Sequence, residues 1–264
     1  MIKVTNLVKK YGDFTAVNDI SFDVDEGEIF AFLGPNGAGK TTTIKILTTL
    51  LKPTSGHVEL DGLNPAVQHN EARKRFGIVF QDPSLDEELT AYENMDFHGV
   101  LYKVPAKLRA DRIEHLLTLF ELWDRRNDPV KQFSGGMKRR LEIARGLLHT
   151  PRIVFLDEPT LGLDPQTRNQ LWTHVRKLND EERVTVFMTT HYMEEAERVA
   201  HRIAIIDHGK IVAQGSAEQL KAQTGAETLE QAFLALTGST IRQEEATSLD
   251  QMRNMARMFR GRRR

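Results

Sequence analysis

Ile29-Phe30-Ala31-Phe32-Leu33, followed by Gly34-Pro35-Asn36-Gly37-Ala38-Gly39-Lys40-Thr41-Thr42, decides how this chain folds. A short, wholly apolar run with these flanks predicts a strand buried on both faces, and such strands belong to parallel sheets covered by helices. The residues beyond it match the pattern Gly, four residues, Gly-Lys-Thr, in the context that pattern needs, a strand before and a helix after. Glycines let the backbone curl until its N–H groups point inward. There, with the positive end of the following helix dipole, they suit phosphate oxygens. Lys40 adds a mobile ammonium for the β and γ phosphates of a nucleotide, and Thr41 a hydroxyl for Mg²⁺, a hard cation that prefers oxygen ligands.

A second segment, Ile153-Val154-Phe155-Leu156-Asp157-Glu158, repeats the logic of an apolar strand that ends in polar residues. A carboxylate at the carboxyl end of a parallel strand beside a phosphate loop is placed to serve Mg²⁺, which assigns Asp157. One residue onward the side chain points elsewhere, toward the γ phosphate, where Glu158 can orient or deprotonate an attacking water. Glu158 is therefore the candidate catalytic base, and the two segments together predict ATP hydrolysis.

Working outward, residues 2–33 alternate short apolar runs with the turns Tyr11-Gly12-Asp13 and Asp25-Glu26-Gly27, which predicts several short strands ahead of the phosphate loop. Helix is expected from about Lys40 to Leu50, and strands at Val58-Glu59-Leu60 and Gly77 to Phe80. From about Thr90 to Leu122 apolar residues recur at helical spacing (Leu101, Leu108, Ile113, Leu116, Leu117, Phe120), marking an inserted helical subdomain over about residues 88–150. Ser134 is placed to cap a helix running to about His149, and a helix from about Gln166 to Asn179 separates two apolar strands, Ile153 to Leu156 and Val184 to Met188. Alternating strand and helix gives an α/β fold with a parallel core sheet. After about Gly215, Leu220, Leu229, Phe233, Leu234 and Leu236 suggest short amphipathic helices. The end from Met252 to Arg264 is basic and methionine-rich, and suits either a frayed terminus or a helix lying on a membrane surface or partner.

The 264 residues allow a sizeable core. With 36 basic against 37 acidic side chains, a net charge of −1 implies no broad attraction to nucleic acid or anionic lipid. The absence of cysteine excludes disulfides and thiolate metal sites and fits a reducing compartment. No signal peptide is recognisable at Met1-Ile2-Lys3-Val4-Thr5, and no apolar run approaches the roughly 20 residues of a spanning helix. A soluble, cytoplasmic polypeptide is the expectation, so any membrane process it serves needs another chain to cross the bilayer.

Between the two nucleotide segments lies Phe133-Ser134-Gly135-Gly136-Met137, with Lys138-Arg139-Arg140-Leu141 behind it on the same predicted helix. Gly162-Leu163-Asp164 and Thr189-Thr190-His191 follow in order. As an ordered set over about residues 2–220, these resemble the nucleotide-binding subunit of an ATP-binding-cassette transporter. The resemblance implies a P-loop NTPase of the ABC ATPase fold, with an antiparallel N-terminal β-subdomain, and a domain over residues 1–220 with residues 221–264 as a C-terminal extension. It implies that Tyr11 stacks on adenine, that Gln81 touches Mg²⁺ and the attacking water, and that His191 contacts the γ phosphate. It also implies that Ser134, Gly135 and Gly136 bind the γ phosphate held by an opposite subunit, and that the loop with Asp164 crosses to that subunit. ATP and Mg²⁺ are the implied ligands. A second ATPase subunit, a homodimer being favoured by the intact motif set, and an integral membrane permease on the inner face of the cell membrane are the implied partners.

Met137 stands where the family carries glutamine and removes an amide. Together with the tail Leu229 to Gly238 it is similar to the daunorubicin-resistance branch, which implies export of a drug, antibiotic, lipid or polysaccharide. The alternative is a soluble ATPase of the same fold acting on ribosomes or DNA. A single phosphate loop, the lack of a sustained heptad stretch and the near-neutral charge argue against it, and no nucleic-acid partner is expected.

Overall fold

The computed structural model describes residues 1–238, and the end from Met252 to Arg264 lies outside the described residues. Strands β1 (Ile2–Tyr11) and β2 (Phe14–Val24) form an antiparallel hairpin closed by Tyr11 opposite Phe14. The fully buried β3 (Ile29–Leu33) leads through the glycine loop into α1 (Lys40–Leu47). β4 (Ser55–Leu60) then returns to pair antiparallel with β1, giving a three-stranded sheet in the order β2-β1-β4. A short helix, α2 (His69–Arg73), precedes β5 (Phe76–Val79).

Three helices follow without a strand, α3 (Ala91–Leu101), α4 (Ala106–Leu119) and α5 (Gly135–Gly146). Local cap chemistry starts two of them. Thr90 and Glu93 form a reciprocal capping box on α3, and the Ser134 hydroxyl accepts the Met137 N–H on α5. The chain returns to strand–helix alternation with β6 (Ile153–Asp157), α6 (Pro165–Glu182), β7 (Thr185–Thr190), α7 (Met193–Val199), β8 (Arg202–Asp207) and β9 (Lys210–Gly215). It closes with α8 (Ala217–Thr224) and α9 (Leu229–Thr237), whose Leu220, Leu229 and Phe233 are buried in the same apolar cluster as Val199 and Ile203.

The second sheet has the order β5-β6-β7-β3-β8-β9 and is parallel except at one edge. There β9 runs antiparallel to β8, an edge strand added to the expected parallel core sheet. Loop length is the reason, because a parallel return needs a crossover of a dozen or more residues and only His208 and Gly209 join the two strands. Both take positive φ, 47° and 75°, as the tight hairpin turns that match strand twist require.

Each central strand splits its side chains between two cores. Ile29, Ala31 and Leu33 of β3 join Val154, Leu156, Val186 and Met188 on the face covered by the inserted helices, α6 and α7. Phe30 and Phe32 join Ile153, Phe155 and Phe187 on the face covered by α1 and the three-stranded sheet. The period of two along a strand produces this division. On the second face Phe22, Phe30, Phe32 and Phe187 pack with ring centroids 5.5 to 5.8 Å apart, the offset spacing aromatic rings favour.

An imidazole cluster ties α3 to the end of α5. The ring of Tyr102, just past α3, stacks on His149 at 3.9 Å and lies 4.8 Å from His98, while Nε2 of His149 meets the Phe76 carbonyl at 3.0 Å. Burial, with the Arg145 cation and His149 beside it, pushes His98 down to about 3. Burial also pushes His149 down to about 4, partly opposed by its bond to Phe76. Folding therefore favours the neutral rings. The stability they supply is complete above the unfolded pKa of about 6.5 and is lost as pH falls below it toward the folded values, at roughly 2 kcal/mol per ring by pH 5. Urea melts between pH 7.5 and 5 should show stability falling with acid, and His98→Phe should flatten that slope. An unchanged slope in the variant would remove His98 from the account.

Candidate active site

Sheet order assembles the site. β7 lies between β3 and β6, so the carboxyl ends of three adjacent parallel strands deliver Gly34, the Asp157-Glu158 pair and the Thr190-His191 pair side by side. The glycine loop is braced where it leaves β3. The Gly34 N–H donates to the Thr190 carbonyl at 3.3 Å, and a Cβ on Gly34 would come within 2.3 Å of the Ile206 carbonyl oxygen. Gly39 has φ 106°, a conformation few residues but glycine adopt, and a Cβ there would meet the Ala16 carbonyl at 2.5 Å. As the N-cap of α1, Gly39 offers no side-chain acceptor. The first-turn N–H groups of Lys40, Thr41 and Thr42 have no acceptor within the helix either, which leaves them available to an anion.

Lys40 is buried and donates to the carbonyls of Gly34 (2.8 Å) and Pro35 (3.1 Å), with Glu158 Oε1 3.2 Å away. His191 reaches Glu158 from the other side, its Nδ1 3.2 Å from Oε2. Burial alone would raise the Glu158 carboxyl, but His191 and Lys40 together hold it below the ordinary glutamate range. Next to it, burial moves Asp157 the opposite way. Its carboxyl is pushed up despite accepting the hydroxyls of Thr189 (2.6 Å) and Thr41 (3.4 Å). Two adjacent carboxylates are thus driven apart in proton affinity, an arrangement that suits them to different tasks. Glu158 also has φ 45°, a region a residue with a side chain seldom occupies, and its N–H is held by the Thr189 hydroxyl (3.0 Å) and carbonyl (3.2 Å).

Gln81 is exposed, one residue beyond Phe80. Tyr11 is half exposed at the hairpin end, with the Lys9 ammonium 5.1 Å from its ring centre. A pocket beside the glycine loop is lined by Phe14, Ala16, Pro35, Asn36, Gly37 and His208, so that Phe14 rather than Tyr11 brings a phenyl-type ring to it. Ser134 and Gly135 are exposed at the start of α5. Gly136 is packed where a Cβ would lie 2.3 Å from Thr167 Cγ2. Asp164 caps α6, accepting the N–H groups of Gln166 and Thr167 (each 3.0 Å) and the Thr167 hydroxyl (2.6 Å), and these bonds lower its carboxyl pKa.

Sequence reasoning passed over several residues of this site. Thr189 donates to the Asp157 carboxylate and accepts the Glu158 N–H, yet in the sequence it stands only as a neighbour of His191 with no role of its own. Glu195, buried on α7, accepts the hydroxyls of Thr160 and Thr190 and so ties the loop after Glu158 to the strand end before His191. Arg139 stands within a basic run that suggests a solvated face, whereas its guanidinium is buried. The spacing of Arg139 and Glu142, one helical turn apart, is the signal that could have found it.

The chain is similar to known proteins in sequence and fold. The family model described as ABC transporter matches residues 17–161. Daunorubicin resistance ATP-binding protein DrrA3 of Streptomyces coeruleorubidus is 40% identical over 252 residues, covering 91% of this chain and 79% of the relative. Nod factor export ATP-binding protein I of Ralstonia nicotianae is 40% identical over 220 residues, 83% of this chain and 68% of its own. Among solved structures, the dimeric post-hydrolysis state of the ATP-binding cassette MJ0796, bound to ADP and Pi, gives a TM-score of 0.72 at 31% identity over 82% of this chain and 98% of that one. The chain belongs to the ABC transporter family. Within it this is an ATP-binding subunit of the kind related to drug-resistance exporters, and an ATPase. Its α/β fold is that of the family's cassettes, and among the described residues no helix is long and apolar enough to cross a membrane.

Proposed function

We propose that two copies of this subunit close head to tail over ATP, that Glu158 activates the water which attacks the γ phosphate, and that the closing and reopening drive a separate integral membrane permease. The observation that carries this reading is the convergence of Lys40, Glu158 and His191 within 3.2 Å contacts at three neighbouring strand ends. The loop from Gly34 to Thr42 wraps the phosphates, with the main-chain N–H groups of Lys40, Thr41 and Thr42 open to their oxygens, and Lys40 turns from Glu158 to the β and γ phosphates. Glu158, whose carboxyl is held below the ordinary glutamate range by His191 and Lys40 beside it, accepts the proton of the water, and His191 contacts the γ phosphate. Ser134, Gly135 and Gly136 complete the site from the opposite copy, with the Asp164 loop crossing between them. Tyr11 receives the adenine ring, and Phe14 offers a second aromatic on the same hairpin end.

Thr41, Asp157 and Gln81 would hold Mg²⁺. The fit rests on the Thr41 hydroxyl and Asp157 carboxylate lying 3.4 Å apart, and on a buried carboxyl whose raised pKa a divalent cation would reverse. Bound there, the ion would neutralise charge developing on the phosphate oxygens.

The cassette over residues 1–220, its helical part over about 88–150 and the extension over 221–264 are the proposed divisions. The loop with Gln81 and residues Pro83 to Asn94 would receive a cytoplasmic helix of the permease, which places the subunit on the inner face of the cell membrane. Export of a drug, antibiotic, lipid or polysaccharide is supported by the names of relatives at 40% identity, which specify daunorubicin resistance and Nod factor export. The test is what the tagged chain brings with it from detergent-solubilised native membranes. An integral membrane protein should co-elute, and recovery of ribosomes or DNA in its place would overturn the transport reading.

A further inference from the structure

We propose that Arg139 is a positioning residue for hydrolysis: it clamps the main chain on both sides of Glu158 and immediately before Gln81 to the helix that begins at Ser134. This rests on the roles just proposed for those residues. The guanidinium is buried on α5 and spends its donors almost entirely on backbone oxygens. Nε donates to the Pro159 carbonyl at 2.7 Å, Nη2 to the Asp157 carbonyl at 3.0 Å, and Nη1 to the Phe80 carbonyl and to Glu142 Oε2, the last at 3.0 Å. Asp157 and Pro159 flank Glu158, and Phe80 precedes Gln81. One rigid fork of donors therefore fixes the relative position of the proposed base and the proposed water-contacting amide.

The same face of α5 continues the clamp. Glu142, buried, accepts the Ser84 N–H at 2.7 Å and its hydroxyl at 3.3 Å, and Arg145 donates to the Ser84 carbonyl at 2.8 Å and to its hydroxyl. Residues 139, 142 and 145 recur every third position on α5, so one helix holds the loop from Gln81 to Ser84 and the strand end at Glu158 together. This matters because Glu158 has φ 45°, a conformation that persists only where its surroundings over-determine it. Thr189 holds the Glu158 N–H, and Arg139 holds the carbonyls on either side. The hydrogen bonds of Arg139 go to Pro159, Phe80, Asp157 and Glu142 and not to Lys40 or the glycine loop, so loss of the clamp should leave nucleotide binding in place and misplace the base. A misplacement of about 1 Å is enough to cost roughly a hundredfold in rate. Ser134 starts the same helix, so engagement of that serine with a nucleotide on the opposite copy would be felt at the Glu158 of its own copy.

Two variants of the full chain test this. Arg139→Lys keeps a cation opposite Glu142 but cannot span three carbonyls. The pair Arg139→Gln with Glu142→Gln removes the clamp without stranding a buried charge. Each is measured for melting temperature, for affinity toward a fluorescent ATP analogue, and for kcat and KM of ATP hydrolysis. The expected result is affinity and KM within twofold of the parent and kcat lowered 10- to 100-fold in both. A kcat within twofold of the parent in either folded variant overturns the proposal, as does a loss of affinity and melting temperature that accounts for the whole drop in rate. Glu158→Gln, measured alongside, separates the two levels. If it hydrolyses ATP normally the assigned base is wrong, whereas if it is inactive while the Arg139 variants are normal, only the clamp is wrong.

Discussion

Replacing Glu158 by glutamine should lower steady-state ATP hydrolysis about 10²- to 10⁴-fold, the range a positioned general base contributes, while ATP still binds. The substitution preserves volume and the hydrogen-bonding oxygen but removes the charge that now sits 3.2 Å from both Lys40 and His191. Lys40 loses the carboxylate that competes with phosphate for its ammonium, so affinity should hold or rise. Nucleotide that is bound and not split should also keep two copies closed, and light scattering of the variant with ATP should report a mass twice that of the chain. Hydrolysis at the parent rate would disprove the assignment, and a purely monomeric variant in saturating ATP would remove the head-to-tail sandwich.

Lys40→Ala should weaken ATP binding by about 10- to 100-fold, since charge-assisted hydrogen bonds contribute roughly 1.5–3 kcal/mol each. Calorimetric titration is the measurement, and undiminished affinity would reject the glycine loop as the phosphate cradle. A second effect follows from burial. Lys40 and Glu158 are only 5% and 9% exposed, and removing one partner of a buried pair leaves the other uncompensated, at a cost of about 3–5 kcal/mol in comparable cases. His191 still faces Glu158, so the penalty should fall at or below the low end of that range. Lys40→Ala should therefore melt earlier than the parent, and Lys40→Ala with Glu158→Gln should recover part of that loss without recovering activity.

The elements that could be read in the sequence are those whose signal is local. β3 and β6 are apolar runs ended by polar motifs. The Ser134 cap and the stretch from Ile113 to Phe120 needed only cap chemistry and helical spacing, and Ile113, Leu116, Leu117 and Phe120 are all buried as that spacing implies. What could not be read depends on strand order. Nothing in the chain announces that β7 lies between β3 and β6, so the role of Thr189, whose hydroxyl donates to the Asp157 carboxylate and accepts the Glu158 N–H, stays invisible until the sheet is assembled. Arg139 fails for the opposite reason. Its neighbours Lys138 and Arg140 pair with the exposed Glu87 and Glu121, and a triplet of cations looks uniform in sequence although its middle member turns inward. The antiparallel β9 was hidden in a loop of two residues, His208 and Gly209, whose length carries the information.

Gly136 and Thr167 form a pair of positions that must trade volume. The threonine cannot swing away to admit a methyl group, because its hydroxyl is fastened to Asp164 at 2.6 Å and its Cγ2 is thereby aimed at the place such a methyl would fill. Enlarging position 136 is consequently a lesion of the α6 cap as well as of the glycine pair, and trimming position 167 frees room for α5 while loosening Asp164. Any survey of substitutions at one of these sites, taken singly, reports on both helices at once.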